Sequence, residues 1–140
     1  MENVHVTFWH SDGSEVTASL PGWGISFSGT YYFENSLNPF IRGGFAKNDG
    51  TLLQKSLTAG LGYQPQSGGN LLGFAVGWGE PNETTFSEGL DNQFTAELFY
   101  RLQISKHFVV APDIQYLINP ALNPDESSIF IWGIRGRINL

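Results

Sequence analysis

No cysteine occurs in these 140 residues. That excludes a disulfide framework, a thiolate nucleophile and a cysteine-ligated zinc site. Charge is scarce as well: Asp, Glu, Lys and Arg together make up 14% of the chain, against roughly 25% in soluble globular domains. Lysine is the scarcest, with only Lys47, Lys55 and Lys106, too few for a solvent-facing sheet surface of this size. Long apolar runs are missing too. No window approaches the ~18 consecutive apolar residues of a transmembrane helix, and a mean hydropathy of -0.14 requires apolar and polar residues to be interleaved. If a bilayer is crossed, strands must cross it. A net charge of -6 argues against a nucleic-acid partner, because phosphates call for a basic surface. Met1–His5 has neither the basic start nor the apolar run of a signal peptide, so the chain is expected to be a processed or excised piece of a longer protein.

What is present is glycine, 17 residues, and aromatic side chains at 14%. Period-2 alternation recurs along the chain, bounded by Gly, Pro, Asn and Asp. It predicts strands over 3–10, 22–33, 38–47, 55–64, 70–79, 92–104, 107–119 and 128–140. Trp23, Ile25, Phe27, Gly29, Tyr31 and Phe33 oppose Gly24, Ser26, Ser28, Thr30 and Tyr32. Phe94, Ala96, Leu98, Tyr100, Leu102 and Ile104 oppose Thr95, Glu97, Phe99, Arg101 and Gln103. No stretch has a helical period. The segments approach the ~9–11 residues that cross a bilayer on a tilt, and exceed the ~5–6 usual in globular sheets. Long connections (11–21, 48–54, 80–91, 120–127) alternate with short ones (34–37, 65–69, 105–106), the asymmetry of outer-membrane barrels. Most acids fall in the long ones: Asp12, Glu15, Asp49, Glu80, Glu83, Glu88, Asp91, Asp125 and Glu126. The fold class predicted is all-β, an antiparallel transmembrane up-and-down barrel forming a single domain or half-barrel over 1–140.

Alternation fits a soluble barrel turned inside out equally well. Three features favour apolar side chains outward. All four arginines (Arg42, Arg101, Arg135, Arg137) share the polar face with Glu97 and Asp113, as suits a hydrated lumen. Aromatic residues gather near apolar-face strand ends, where rings form interfacial girdles: Trp23, Phe33, Tyr63, Trp78, Phe108, Tyr116 and Trp132, with Phe45 and Phe94. The polar face is rich in Gly and Ser, a plausible lumen wall and a poor soluble surface.

The residues Glu97, Tyr100, Arg101 and Gln103, followed by Pro112, Asp113, Gln115 and Pro120, spell E-x-x-Y-R-x-Q and then P-D-x-Q-x-x-x-x-P. This run resembles the carbohydrate-selective outer-membrane porin family, and Gly22-Trp23-Gly24 and Leu71-Leu72-Gly73 look similar too. The resemblance implies a sixteen-strand barrel of which this chain supplies the C-terminal half. It implies sugars or other small hydrophilic solutes as partners, a Gram-negative outer membrane as the location, and homotrimers as the assembly. Leu140 departs from the terminal aromatic common in outer-membrane proteins.

The residues expected to face the pore and its sugars are Arg42, Glu97, Phe99, Arg101, Gln103, Asp113, Gln115, Arg135 and Arg137, with Asn139 and Tyr32. Carboxylates accept hydroxyl protons, guanidinium forks donate, and amides do both. The same charges would also serve simply by pairing and stiffening the wall. Enzyme chemistry is not expected. His10 with Ser11, Asp12 and Ser14 offers triad residue types, but loop neighbours rarely converge and no G-x-S-x-G elbow exists. His5, His10 and His107 are too scattered for a metal site, and no cofactor is expected. Two alternatives remain: a small closed outer-membrane barrel with a structural or binding role, and a soluble ligand-binding barrel.

Overall fold

The structure, a computed structural model, describes residues 3–13, 20–33, 36–48, 51–65, 69–86 and 89–138. Eight strands follow one another: β1 (Asn3–Ser11), β2 (Gly22–Thr30), β3 (Leu37–Lys47), β4 (Leu53–Tyr63), β5 (Leu71–Pro81), β6 (Gln93–Gln103), β7 (Phe108–Ile118) and β8 (Ser128–Ile138). They form one antiparallel sheet in sequence order. Each strand predicted from alternation is present. The boundaries moved both ways: β2 stops at Thr30, short of the predicted 33, and β6 and β7 are trimmed at each end, while β4 and β5 gain residues where backbone pairing extends past the alternating side chains. β4 opens at Leu53 through an irregularity between Leu53 and Lys55, and β5 runs on to Pro81.

That extension corrects two expectations. The 48–52 connection is no longer than the 64–70 turn, so the asymmetry of lengths rests on 12–21, 82–92 and 119–127. Glu80 lies in β5 rather than in a loop. It pairs in register with Lys55, accepts two hydrogen bonds from the Lys55 ammonium at 2.9 and 3.1 Å, and a third from Gln54 at 2.6 Å. Of the other acids placed in loops, Glu15, Asp49 and Glu88 lie outside the described residues.

The two faces separate as alternation predicts. One carries Val4, Val6 and Phe8 on β1, then Ile41, Leu57, Phe74, Leu98, Ile114 and Trp132 on later strands, all strongly exposed. The apolar side chains buried among the described residues are few and mostly small: Ala46, Ala75, Val109 and Ala121. A soluble barrel would hide its large rings in a core, and here they cover the outside. So extended an apolar surface marks contact with a membrane or a partner. The opposite face is the inside of the curve, because a cavity of about 480 Å³ is lined by polar-face residues from Thr30 on β2 to Arg135 on β8.

The sheet does not close: among the described residues, β1 and β8 make no contact with each other. The edges show it in exposure. Val4 and Phe8 on β1 are 74% and 76% exposed and Trp132 on β8 is 75%, whereas Phe74 and Ile114 on interior strands are 50% and 42%. Among the described residues the eight strands therefore do not make a small closed barrel.

At the loop end the connections are stitched together around Asn82, the one side chain among the described residues that is fully buried, at 1% exposure. Its amide donates to the Asn48 carbonyl at 2.7 Å and to the Thr51 hydroxyl at 3.1 Å. Its side-chain oxygen accepts from the Thr84 backbone N–H at 3.0 Å, an Asx turn. Thr85 donates to the Thr51 carbonyl at 2.8 Å, and Asn48, held at a φ of 66°, donates to the Pro21 carbonyl at 2.9 Å. Three connections are thereby tied edge to edge.

Candidate pore wall

Strand pairing orders the concave face into rows. One row runs His5, Ser28, Arg42, Thr58 and Gly77 from β1 to β5. The next towards the turn end runs Thr30, Phe40, Gly60, Ala75, Glu97 and Gln115 from β2 to β7. Beyond it, Gly73, Phe99, Asp113 and Gly133 stand side by side. Arg101 pairs with Leu71, while Arg135 pairs with Ala111. Arg42, Glu97, Phe99, Arg101, Asp113 and Arg135 all line the 480 Å³ cavity, as does Tyr32.

Gln115 lies on the same face, and its amide reaches the Asp113 carboxylate at 3.4 Å. Arg137 shares the face by its pairing with Val109, one alternation beyond Arg135. Gln103 is drawn away, because its amide donates to the Ser105 carbonyl at 2.6 Å in the 104–107 turn. Asn139 lies outside the described residues.

The charges on this wall are not spent on one another. Among the described residues the ion pairs are Lys55–Glu80 and His10–Asp12, and neither is on the pore wall. Arg101 reaches only the Gly69 carbonyl, at 3.4 Å, and its Nε is buried without a partner. Arg42 rests with its guanidinium carbon 5.3 Å from the centre of the Phe40 ring. Guanidinium and carboxylate groups that share a cavity without pairing keep their hydrogen-bonding capacity for a third party.

Ring placement is the feature alternation does not reveal. A Cβ at Gly60 would meet the Phe40 ring, one at Gly73 the Phe99 ring, and one at Gly24 the Trp9 ring at 2.6 Å. Each ring is the direct cross-strand partner of its glycine. The rings lie flat across the wall because the neighbour has no side chain, and a flat ring narrows a lumen less than an upright one. The signal was an aromatic paired with a glycine, but it can be found only once the register is known.

On the outer face, Trp23, Trp78 and Tyr116 with Phe45 and Phe94 stand towards the loop end, and Tyr63 and Phe108 towards the turn end. Phe33 follows β2 at the turn end, its ring 4.6 Å from that of Tyr31. Trp132 departs from this pattern. It sits at the middle of β8, opposite Ile114 of β7, because β8 begins at Ser128. His10 and Asp12 approach to 3.6 Å and are largely exposed, whereas Ser14 lies outside the described residues. Among the described residues no cluster of His, Asp or Glu has the makings of a metal site.

The sequence profile of the carbohydrate-selective porin, OprB family, matches residues 10–140. Among solved structures, the high-pH structure of Pseudomonas putida OprB is similar in fold, with a TM-score of 0.69 at 13% identity. The match covers 98% of this chain and 44% of that one, so the chain spans less than half the length of that relative. No curated protein matches the sequence significantly.

Proposed function

This chain belongs to the carbohydrate-selective porin, OprB family, an outer-membrane family of Gram-negative bacteria, and from that premise we propose that it forms about half the wall of a pore for passive diffusion of sugars and other small hydrophilic solutes. The observation that carries the proposal is the unpaired state of Arg42, Glu97, Arg101, Asp113, Arg135 and Arg137 on the concave face. A sugar presents alternating hydroxyl donors and acceptors and an apolar ring face. Guanidinium groups donate to its oxygens, carboxylates and Gln115 accept from its hydroxyls, and the flat Phe40 and Phe99 rings offer apolar platforms. Contacts of this kind are individually weak and repeated, which lets the solute leave as readily as it enters. A homotrimeric assembly and lipid contact through the exposed outer rings complete the proposal.

Reconstitution in liposomes of the complete pore that contains this half-wall tests it. Sugar uptake should be measurable, and Arg101→Gln and Asp113→Asn should each alter the relative rates for different sugars while the protein still assembles. Unchanged selectivity in both variants would remove these residues from the sugar path.

A further inference from the structure

The wall of β1 to β4 holds a second cavity, of about 390 Å³, built of different chemistry. Arg42 stands at its edge and also lines the larger cavity, so it joins the two. Around it are the hydroxyls of Ser28 and Thr58, its direct cross-strand partners, and those of Ser26 and Ser56 in the adjoining row, which meets the first across Gly44. Thr7 adds a fifth hydroxyl. No carboxylate lines this cavity, whereas Glu97 and Asp113 both line the larger one. Resting against Phe40, the Arg42 guanidinium has no hydrogen-bond or ion-pair partner among the described residues.

Glu97 lines the larger cavity together with Arg42, and a smaller one with Ser56 and Thr58, but it does not line this one. Glu97 shares the neighbouring row but lies on β6, three strands from β3, or roughly 14 Å at ~4.8 Å per strand. The acids of the loop end stand beyond Lys47, roughly 17 Å along the strand from Arg42 at ~3.4 Å per residue. A free guanidinium ringed by hydroxyl donors, in a cavity that no carboxylate lines, is matched to an oxyanion through charge-assisted hydrogen bonds. The mixed-charge wall of β6 to β8 offers no such one-sided site.

Resting on the porin reading above, we infer that the Arg42 cavity is a binding step for the oxyanion group of an acidic sugar, a phosphate or a carboxylate, so that this pore favours such sugars over uncharged ones. The test uses the complete pore that contains this half-wall, in planar lipid bilayers, and reads the concentration at which a solute half-blocks the ion current. Glucose 6-phosphate should block at a concentration about tenfold lower than glucose, as one charge-assisted hydrogen bond implies. Arg42→Gln should bring that ratio to within about twofold of one, and Arg42→Lys, which keeps the charge, should restore part of it. Inorganic phosphate and glucuronate identify the group recognised: block by phosphate alone assigns phosphate, and equal block by both assigns any oxyanion. A ratio near one in the native chain, or one that persists in Arg42→Gln, overturns the inference while leaving the porin standing. A complete pore that conducts no ions overturns both.

Discussion

The wall from β1 to β5 and the wall from β6 to β8 obey the same pairing rule but are made of different material. The first is lined by Ser26, Ser28, Ser56 and Thr58 and by glycines at 24, 44, 60, 62, 73, 77 and 79, with Arg42 its one fixed charge. The second carries Glu97, Arg101, Asp113, Arg135 and Arg137 with Gln115. Bulk and bareness are complementary: where a strand bears a large inward group, its neighbour often bears none. Phe99 of the charged wall lies over Gly73 of the bare one, and Asp113 lies against Gly133, where an added Cβ would come within 2.8 Å of its carboxylate. The glycines are thus the recesses into which the other side chains fold, and the space left at the centre depends on them.

The most damaging way to break the comparison is to violate the pleat that both walls share. Ile114→Arg places a guanidinium on the outer face of β7 and should cost about 2–4 kcal/mol at mid-bilayer depth. Gln115→Arg, one residue on, faces the cavity and should cost far less. Urea unfolding in lipid vesicles measures both, and equal losses would mean that the faces are misassigned.

Next in size is the recess itself. Gly60→Ala puts a methyl into the Phe40 ring and within 2.7 Å of the Phe74 carbonyl, an overpacking expected to cost about 1–3 kcal/mol. Gly136 on β8 has open space, its nearest foreign atom being 3.9 Å away on Phe108. Gly136→Ala should therefore be neutral or stabilise by about 0.4–1 kcal/mol through the unfolded chain. The same unfolding assay separates the two, and similar costs at both sites would deny the bare wall its special role.

The smallest effect on stability belongs to the charges. Glu97→Gln should change stability by less than about 0.5 kcal/mol, since no described partner holds the carboxylate. It should still shift the reversal potential under a salt gradient towards anions. A large loss of stability would show that the charged wall is held together by its charges, the stiffening role considered from sequence.

The faces were legible before the structure because a one-residue slip would turn every side chain over, and the arginines held to the polar side throughout. Register was not legible, since no residue of β3 announces that Phe40 will meet Gly60. The same gap hid the Lys55–Glu80 pair: a proline at 81 and an acid at 80 read as a loop, but Glu80 is held in β5 by a partner on β4. Trp132 was taken for an interface residue on its chemistry, although the strand predicted over 128–140 begins where β8 does and already set it four residues inside. Asn82 could have been suspected from Asn-x-Thr after a proline, an Asx-turn signal. Its burial depends on Asn48 and Thr51, which are distant in sequence. Alternation also says nothing of closure, and the open edge became visible only in the lack of pairing between β1 and β8 among the described residues.

The knot at Asn82 has an electrical consequence. Where the connections at a pore's mouth swing freely, the bore fluctuates and the current flickers as the mouth narrows and widens. Here Asn82, Thr85 and Asn48 lash three connections together at their bases. In the pore proposed above, this half of the mouth keeps a constant width, and its open state should be quiet. Asn82→Ala removes the three side-chain bonds of Asn82 and so loosens the lashing while leaving the conducting wall in place, so the mean current should hold while its low-frequency noise rises.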